Sequence, residues 1–138
     1  MFKITPVNSP KEQKMLAEAV GCEYRPLYFA YVMRDCETGE LMGFSQFEIE
    51  ADGGYIADLR EAPGKNDVEA MFILGRQTMN FIDLMGMHKA YANANGNDER
   101  LLHAIGFRKT EDGRLFADMD GMFDGSHCSG HTVQLPEK

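Results

Sequence analysis

Tyr55-Ile56-Ala57-Asp58-Leu59-Arg60-Glu61-Ala62-Pro63-Gly64-Lys65-Asn66-Asp67-Val68-Glu69-Ala70-Met71-Phe72 is the stretch on which the fold of this chain turns. It begins as a half-polar strand running to Glu61, passes through a Pro/Gly turn, and changes from Asn66 onward to the period of an apolar helix. A strand, a short turn and a helix start make a natural seat for an anion, because the first N–H groups of a helix have no partner within it. Asp67 and Glu69 already place carboxylates in that first turn. They either cap their own helix or leave room for a bound group, and Asn66 to Glu69 has the spacing of a capping box.

Downstream, Val68, Met71, Gly75, Thr78, Ile82 and Met85 share one helical face, which Phe72, Leu74, Met79 and Phe81 widen. So broad an apolar face predicts a helix buried against a sheet, ended by Gly86. His88–Asn93 reads as a short strand, expected to run parallel to the one before the helix. Asn95-Gly96-Asn97-Asp98 then caps a helix carrying Leu101, Leu102 and Ile105, closed by Gly106. A final hairpin pairs Phe107–Thr110 with Leu115–Met119 around Asp112-Gly113.

Upstream, Phe2–Val7 alternates as a strand, and Ser9-Pro10-Lys11-Glu12 opens a helix with a capping serine, a proline at its first position and a reciprocal glutamate. Met15, Leu16, Ala19 and Val20 are its expected apolar face, and Gly21 its stop. Tyr28–Arg34 and Leu41–Ile49 form a hairpin, with Asp52-Gly53-Gly54 as the turn into the next strand. The order β-α-β-β-β-α-β-α-β-β predicts an α/β chain of the mixed α+β kind, a mixed sheet with helices on both faces. Residues 1–123 read as one domain and residues 124–138 as a tail of small residues.

The chain has 138 residues, enough for one core of ordinary size, and its hydrophobic fraction of 43% suits a globular protein. A formal charge of −8 argues against nucleic acid as a partner and favours cations such as amines. Cys22, Cys36 and Cys128 are an odd set without a close pair, which fits a reducing compartment. No apolar run reaches membrane-spanning length and the first residues lack the pattern of a signal peptide, so the expectation is a cytoplasmic protein without membrane contact. His127, Cys128 and His131 lack the two tight ligand pairs of structural zinc, and no metal site is assigned. A homodimer is compatible with the composition.

The series of elements up to Phe123, with Asn95-Gly96-Asn97-Asp98-Glu99-Arg100-Leu101-Leu102-His103-Ala104-Ile105-Gly106-Phe107 near its end, resembles the GCN5-related N-acetyltransferase superfamily. The resemblance implies an enzyme that transfers an acetyl group from acetyl-CoA to a primary amine, on a small molecule or a protein. In that family the fourth and fifth strands splay, and the pantetheine arm lies in the opening against backbone of the fourth strand. By that likeness Leu59 and Glu61 are the backbone partners, Asn95 is the family's asparagine beside the cofactor, and Lys65, with Arg60, is a cation close to the phosphates. The family's phosphate loop carries an arginine and three glycines. Asn66, Asp67, Glu69 and Met71 stand at those positions here, and Leu102 stands where many members carry a tyrosine acid. These departures define the alternative, a non-catalytic binding or regulatory domain that keeps the fold without acetyl-CoA.

Acetylating an amine requires a base for the ammonium proton. Asp58 and Glu48 are the candidate carboxylates, each inside an otherwise apolar or aromatic strand where burial raises a carboxyl pKa. Strand alternation puts Asp58 on one face with Ile56 and Arg60, and a surface Asp58–Arg60 pair is the non-catalytic explanation.

Overall fold

The structure, a computed structural model, describes residues 1–123. The chain runs β1 (Phe2–Pro6), α1 (Pro10–Val20), β2 (Phe29–Asp35), β3 (Leu41–Glu50), β4 (Gly53–Glu61), α2 (Val68–Leu84), β5 (Lys89–Ala92), α3 (Glu99–Ile105), β6 (Arg108–Lys109) and β7 (Leu115–Asp118). The strands form one seven-stranded sheet in the order β1-β2-β3-β4-β5-β7-β6. Only β4 and β5 are parallel, as a helix-long connection requires, and every other neighbour is antiparallel. This is the mixed α/β architecture expected from the order of elements. His127, Cys128 and His131 lie outside the described residues.

Alternation along β2 sorts the two cores. Ala30 and Val32 pack with Leu16, Ala17 and Val20 of α1 and with Phe44, whereas Tyr31 and Met33 join the larger core under α2 and α3. On α1 the inward residues are Gln13, Leu16, Ala17 and Val20, while Met15 is 61% exposed and Ala19 faces out. The expected face was rotated because a buried glutamine carries no hydrophobic signal, yet its amide has partners on the sheet. Ser9 caps this helix, its hydroxyl accepting the Glu12 N–H at 3.2 Å.

Two further corrections concern β4. Gly53 and Gly54 are strand residues rather than turn residues: Gly54 pairs with Ala90, and a Cβ there would stand 2.4 Å from Cγ2 of Ile82 on α2. Glycine at 54 is what lets α2 lie close on the sheet. In addition the β3–β4 register shifts between Gln46 and Phe47, so that Gln46 faces Asp58 and Phe47 faces Ile56. Ala57 is the extra residue of a bulge, which turns Asp58 to the α1 face while Ile56 stays in the α2 core. Strict alternation fails at that one residue. On α2 itself Val68 and Met85 are exposed, and the last hairpin is shorter than expected, with Phe107 fully buried beside a two-residue β6.

Candidate functional site

β4 is nine residues long, but its parallel partner β5 has four, and their pairing ends at Ile56 with Ala92. Beyond that point the chain after β5 turns away, and the edge of β4 from Ala57 to Glu61 has no strand beside it. Such an edge must find other partners. Asn97 supplies them: its Oδ1 accepts the Leu59 N–H at 3.0 Å, and its Nδ2 donates to the carbonyls of Ala57 at 3.0 Å and Asn93 at 2.8 Å. One side chain thus stands in for a strand residue. Asn95 faces solvent, its N–H donating to the Asn93 side chain at 3.0 Å. Sequence reasoning named Asn95, and the contact of Asn97 with the β4 edge follows from the path of the loop, which leaves no local signal.

A cleft of about 480 Å³ opens beside this edge, lined by Leu59, Arg60 and Glu61 of β4, Asn66, Val68 and Met71 around the start of α2, and Gly96, Arg100 and Leu101 from the α3 side. Asp67 caps α2: its backbone is extended and its carboxylate accepts the Ala70 N–H at 2.9 Å. The Glu61 carboxylate accepts the Asp67 N–H at 2.6 Å. The acidic first turn is therefore a cap, set at Asp67 rather than Asn66. Lys65 is turned to Glu40, with 2.7 Å between ammonium and carboxylate. Arg60 crosses against Gly96, where a Cβ would lie 2.4 Å from Nη2, and its Nη1 donates to the Gly21 carbonyl at 3.4 Å. The Arg60 Nε is buried and has no hydrogen-bond partner.

On the other face Asp58 is fully buried. Arg25 from the loop after α1 donates to it through Nε at 2.7 Å and Nη2 at 3.5 Å, Gln46 Nε2 donates at 2.8 Å, and the Arg60 Nη2 stands 4.0 Å away. Asp58 holds the Arg25 guanidinium above its already high pKa, mainly through their hydrogen bond. Gln46 ties the rest together, accepting from the Gln13 side chain at 2.9 Å and from the Arg25 N–H at 3.1 Å, and donating to the Glu23 carbonyl at 2.8 Å. Burial, with Asp58 close by, pushes the Cys22 thiol up to about 11, so it stays protonated at neutral pH. The expected surface pair is in fact an interior network that pins the loop after α1 to the sheet.

Glu48 lies two residues beyond Gln46 on the same face, past the end of α1. The Tyr28 hydroxyl donates to it, and burial together with this bond pushes Tyr28 up to about 12. Glu50 is pushed up to about 7, first by its hydrogen bond to Glu48, then by burial and by the charges of Glu48 and Asp52. A carboxyl raised in the folded state stabilises below its unfolded value of 4.5, and that contribution is lost as pH rises through about 7. Because Glu50 is exposed, screening holds the effect to about 1 kcal/mol or less. Urea midpoints should fall between about pH 5 and about pH 8 in the native chain, with this component of the slope absent in Glu50→Gln.

Among the described residues no helix is long and apolar enough to cross a membrane, and no group of three or more His, Cys, Asp or Glu side chains is placed to hold a metal. No family model matches the sequence, and a search of curated proteins finds no relative. Solved structures do match. The ribosomal-protein-S18-alanine N-acetyltransferase of Escherichia coli aligns at a TM-score of 0.60 and 13% identity, over 85% of this chain and 90% of that one. An IAA acetyltransferase of Bacillus cereus aligns at 0.63 and 19%, over 80% and 79%. The PaiA N-acetyltransferase of Thermoplasma acidophilum, solved with coenzyme A, aligns at 0.58 and 12%, over 84% and 96%. At these identities the likeness is one of architecture, and it agrees with the element order, the parallel β4–β5 pair and the opening beyond it: the chain has the fold of the GCN5-related N-acetyltransferases.

Proposed function

We propose that the chain is an N-acetyltransferase that takes its acetyl group from acetyl-CoA and passes it to a primary amine. The observation that carries this reading is the opening beyond Ile56 and Ala92, where β4 has no strand beside it and a cleft of about 480 Å³ adjoins its edge. Four solved structures of this fold that hold coenzyme A, or in one case acetyl coenzyme A, support it. Leu59 presents its N–H to the opening, where Asn97 now accepts it, and Glu61 lies two residues along the same edge. These two residues would pair with the amides of the pantetheine arm.

The residues fit the cosubstrate, with a different phosphate seat from the glycine loop. The start of α2 is closed by Asp67 and Glu61, so backbone N–H groups there contribute little. Arg60, whose Nε has no hydrogen-bond partner, and Arg100 are among the residues lining the cleft, and their guanidiniums would take the phosphates instead. Lys65 would contribute only by leaving Glu40, and Asn95 only through its loop backbone.

For the base we assign Glu48 over Asp58. Asp58 is fully engaged with Arg25 and Gln46, whereas Glu48 sits on the uncovered end of the same face, held by Tyr28 and Glu50. Glu48 would take a proton from the ammonium, the amine nitrogen would form a bond to the thioester carbon, the carbon–sulfur bond would break, and the second proton lost from the nitrogen would pass to the sulfur, so that coenzyme A leaves as the thiol. Calorimetric titration with acetyl-CoA should give micromolar binding, weakened about tenfold, or 1.4 kcal/mol, in Arg100→Ala. Absence of heat at millimolar acetyl-CoA would sink the transferase in favour of a binding domain on the same fold.

A further inference from the structure

The cross-strand register places Glu48 opposite Tyr55, Tyr55 opposite Tyr91, and Tyr91 opposite Phe116. Residues paired in this way project to one face, so four strands contribute one continuous row, extended at the β2 side by the Tyr28 hydroxyl on Glu48. It is the face that carries α1, but α1 covers only the Phe44 and Gln46 end, and the row lies bare beyond it. The three rings Tyr55, Tyr91 and Phe116 are half-buried. The turn between β6 and β7 borders the Tyr91 and Phe116 end, and Thr110, Glu111, Asp112 and Arg114 line with these two rings an open hollow of about 500 Å³. A space of this size suits a small organic molecule rather than a folded partner.

Position and charge both bear on what fits. Tyr55 and Tyr91 are one residue short of Ile56 and Ala92, where the two strands part, so the row leads directly to the opening assigned to the thioester. The Glu48 and Glu50 carboxyls, joined by a hydrogen bond, stand at its other end. The Tyr91 ring already takes a cation: the Arg114 guanidinium lies 3.8 Å from its centre. The loop before the row is also held in an unusual conformation. Leu27 is the only non-glycine residue with positive φ among the described residues, at 70°, and is wholly exposed. No contact of its own side chain accounts for that backbone. Pro26 and Leu27 are the central residues of a turn closed by the Tyr28 N–H on the Arg25 carbonyl at 3.3 Å, and this turn sets Tyr28 against Glu48.

We propose that this row is the seat of the acetyl acceptor and that the acceptor is a small primary ammonium carrying a flat apolar body. The body lies against Tyr91 and Phe116 beside the β6–β7 turn, and the ammonium is turned to Glu48 beside Tyr55, at the parting of the strands. Arg114 covers the Tyr91 ring until the apolar body of the acceptor displaces it. This assignment rests on the transferase reading for the word acceptor, but the seat itself is measurable without the cosubstrate.

The test uses 2-phenylethylamine as probe and 2-phenylethanol as its neutral counterpart, titrated into the full chain by calorimetry with and without acetyl-CoA. The ammonium should bind at least tenfold more tightly than the alcohol. Tyr91→Ala and Glu48→Gln should each weaken it at least tenfold, Tyr91→Phe should retain it, and Arg114→Ala should tighten it. Thermal melts of each variant verify folding, and Tyr91→Phe keeps the test valid if Tyr91→Ala unfolds. Equal affinity for amine and alcohol, or unchanged amine binding in a folded Tyr91→Ala and Glu48→Gln, would overturn the seat. Amine binding without acetyl-CoA binding would uphold the seat and remove the transferase, whereas acetyl-CoA binding without amine binding would do the reverse.

Discussion

Asp58→Ala should lower the unfolding free energy by about 3 kcal/mol, the low end of the cost of leaving a buried charge without its partner, because the Arg25 side chain is 24% exposed and keeps Glu23 at 3.9 Å. The change would leave the Arg25 guanidinium without the carboxylate to which it now donates at 2.7 Å, and would free a Gln46 amide N–H whose other acceptor is the Glu23 carbonyl. With Gln46 disturbed, the ties from Gln13 and from the Arg25 backbone loosen as well, because all of them converge on that one amide. Against a typical total of about 5–15 kcal/mol, this is a large single-residue loss. Urea unfolding gives the value directly, and Asp58→Asn, which keeps an acceptor for Arg25, should lose less. A loss under about 1 kcal/mol in Asp58→Ala would put the pair among ordinary surface ion pairs and contradict its burial.

The same experiment bears on function. If Asp58 were the base, Asp58→Asn would abolish turnover in a folded protein. On the assignment of the base to Glu48, turnover in that variant should follow its stability, whereas Glu48→Gln should abolish turnover with little change in melting.

Gly54→Val should cost about 3 kcal/mol, the upper end of what overpacking a core entails. The new Cβ alone would stand 2.4, 2.7 and 3.0 Å from three atoms of the Ile82 side chain, and Ile82 is fully buried with no room to retreat. Either α2 lifts from the sheet or β4 bends. Both would also move the cleft, since the start of α2 and the end of β4 form its walls. Ile82→Ala added to Gly54→Val should recover part of the loss, because the two side chains compete for one space. Additive effects in that double-mutant cycle would show that the clash is relieved elsewhere.

The main elements were legible because each rests on local signals. Ser9, Pro10 and Glu12 start α1, Gly21 stops it, the apolar breadth of residues 68–82 marks α2 as buried, and a connection of that length makes β4 and β5 parallel. The acidic first turn of α2 was legible as an open choice, and it resolves as a cap because Asp67 has an extended backbone and Ala70 within reach. Other features left no local trace. Gln13 is buried against expectation because its value lies in Gln46, thirty-three residues away. Asp58 parts from Ile56 because of one extra residue at Ala57, and a bulge is a property of two strands together.

The candidate site divides the same way. Glu48, Asp58, Leu59 and Glu61 lie on β3 and β4, the strands in which the sequence placed them, and an opening beside Leu59 and Glu61 was an expectation of the family resemblance. That Asn97 fills this opening, that Arg60 threads past Gly96, and that Tyr55, Tyr91 and Phe116 form one row with Glu48 depends on strand register. By itself the sequence determined the elements, their order and the fold, because capping, periodicity and turn chemistry act within a few residues. The tertiary structure alone decided which carboxylate is sealed and which is half-buried, because burial and register arise only when segments distant in the chain are brought side by side.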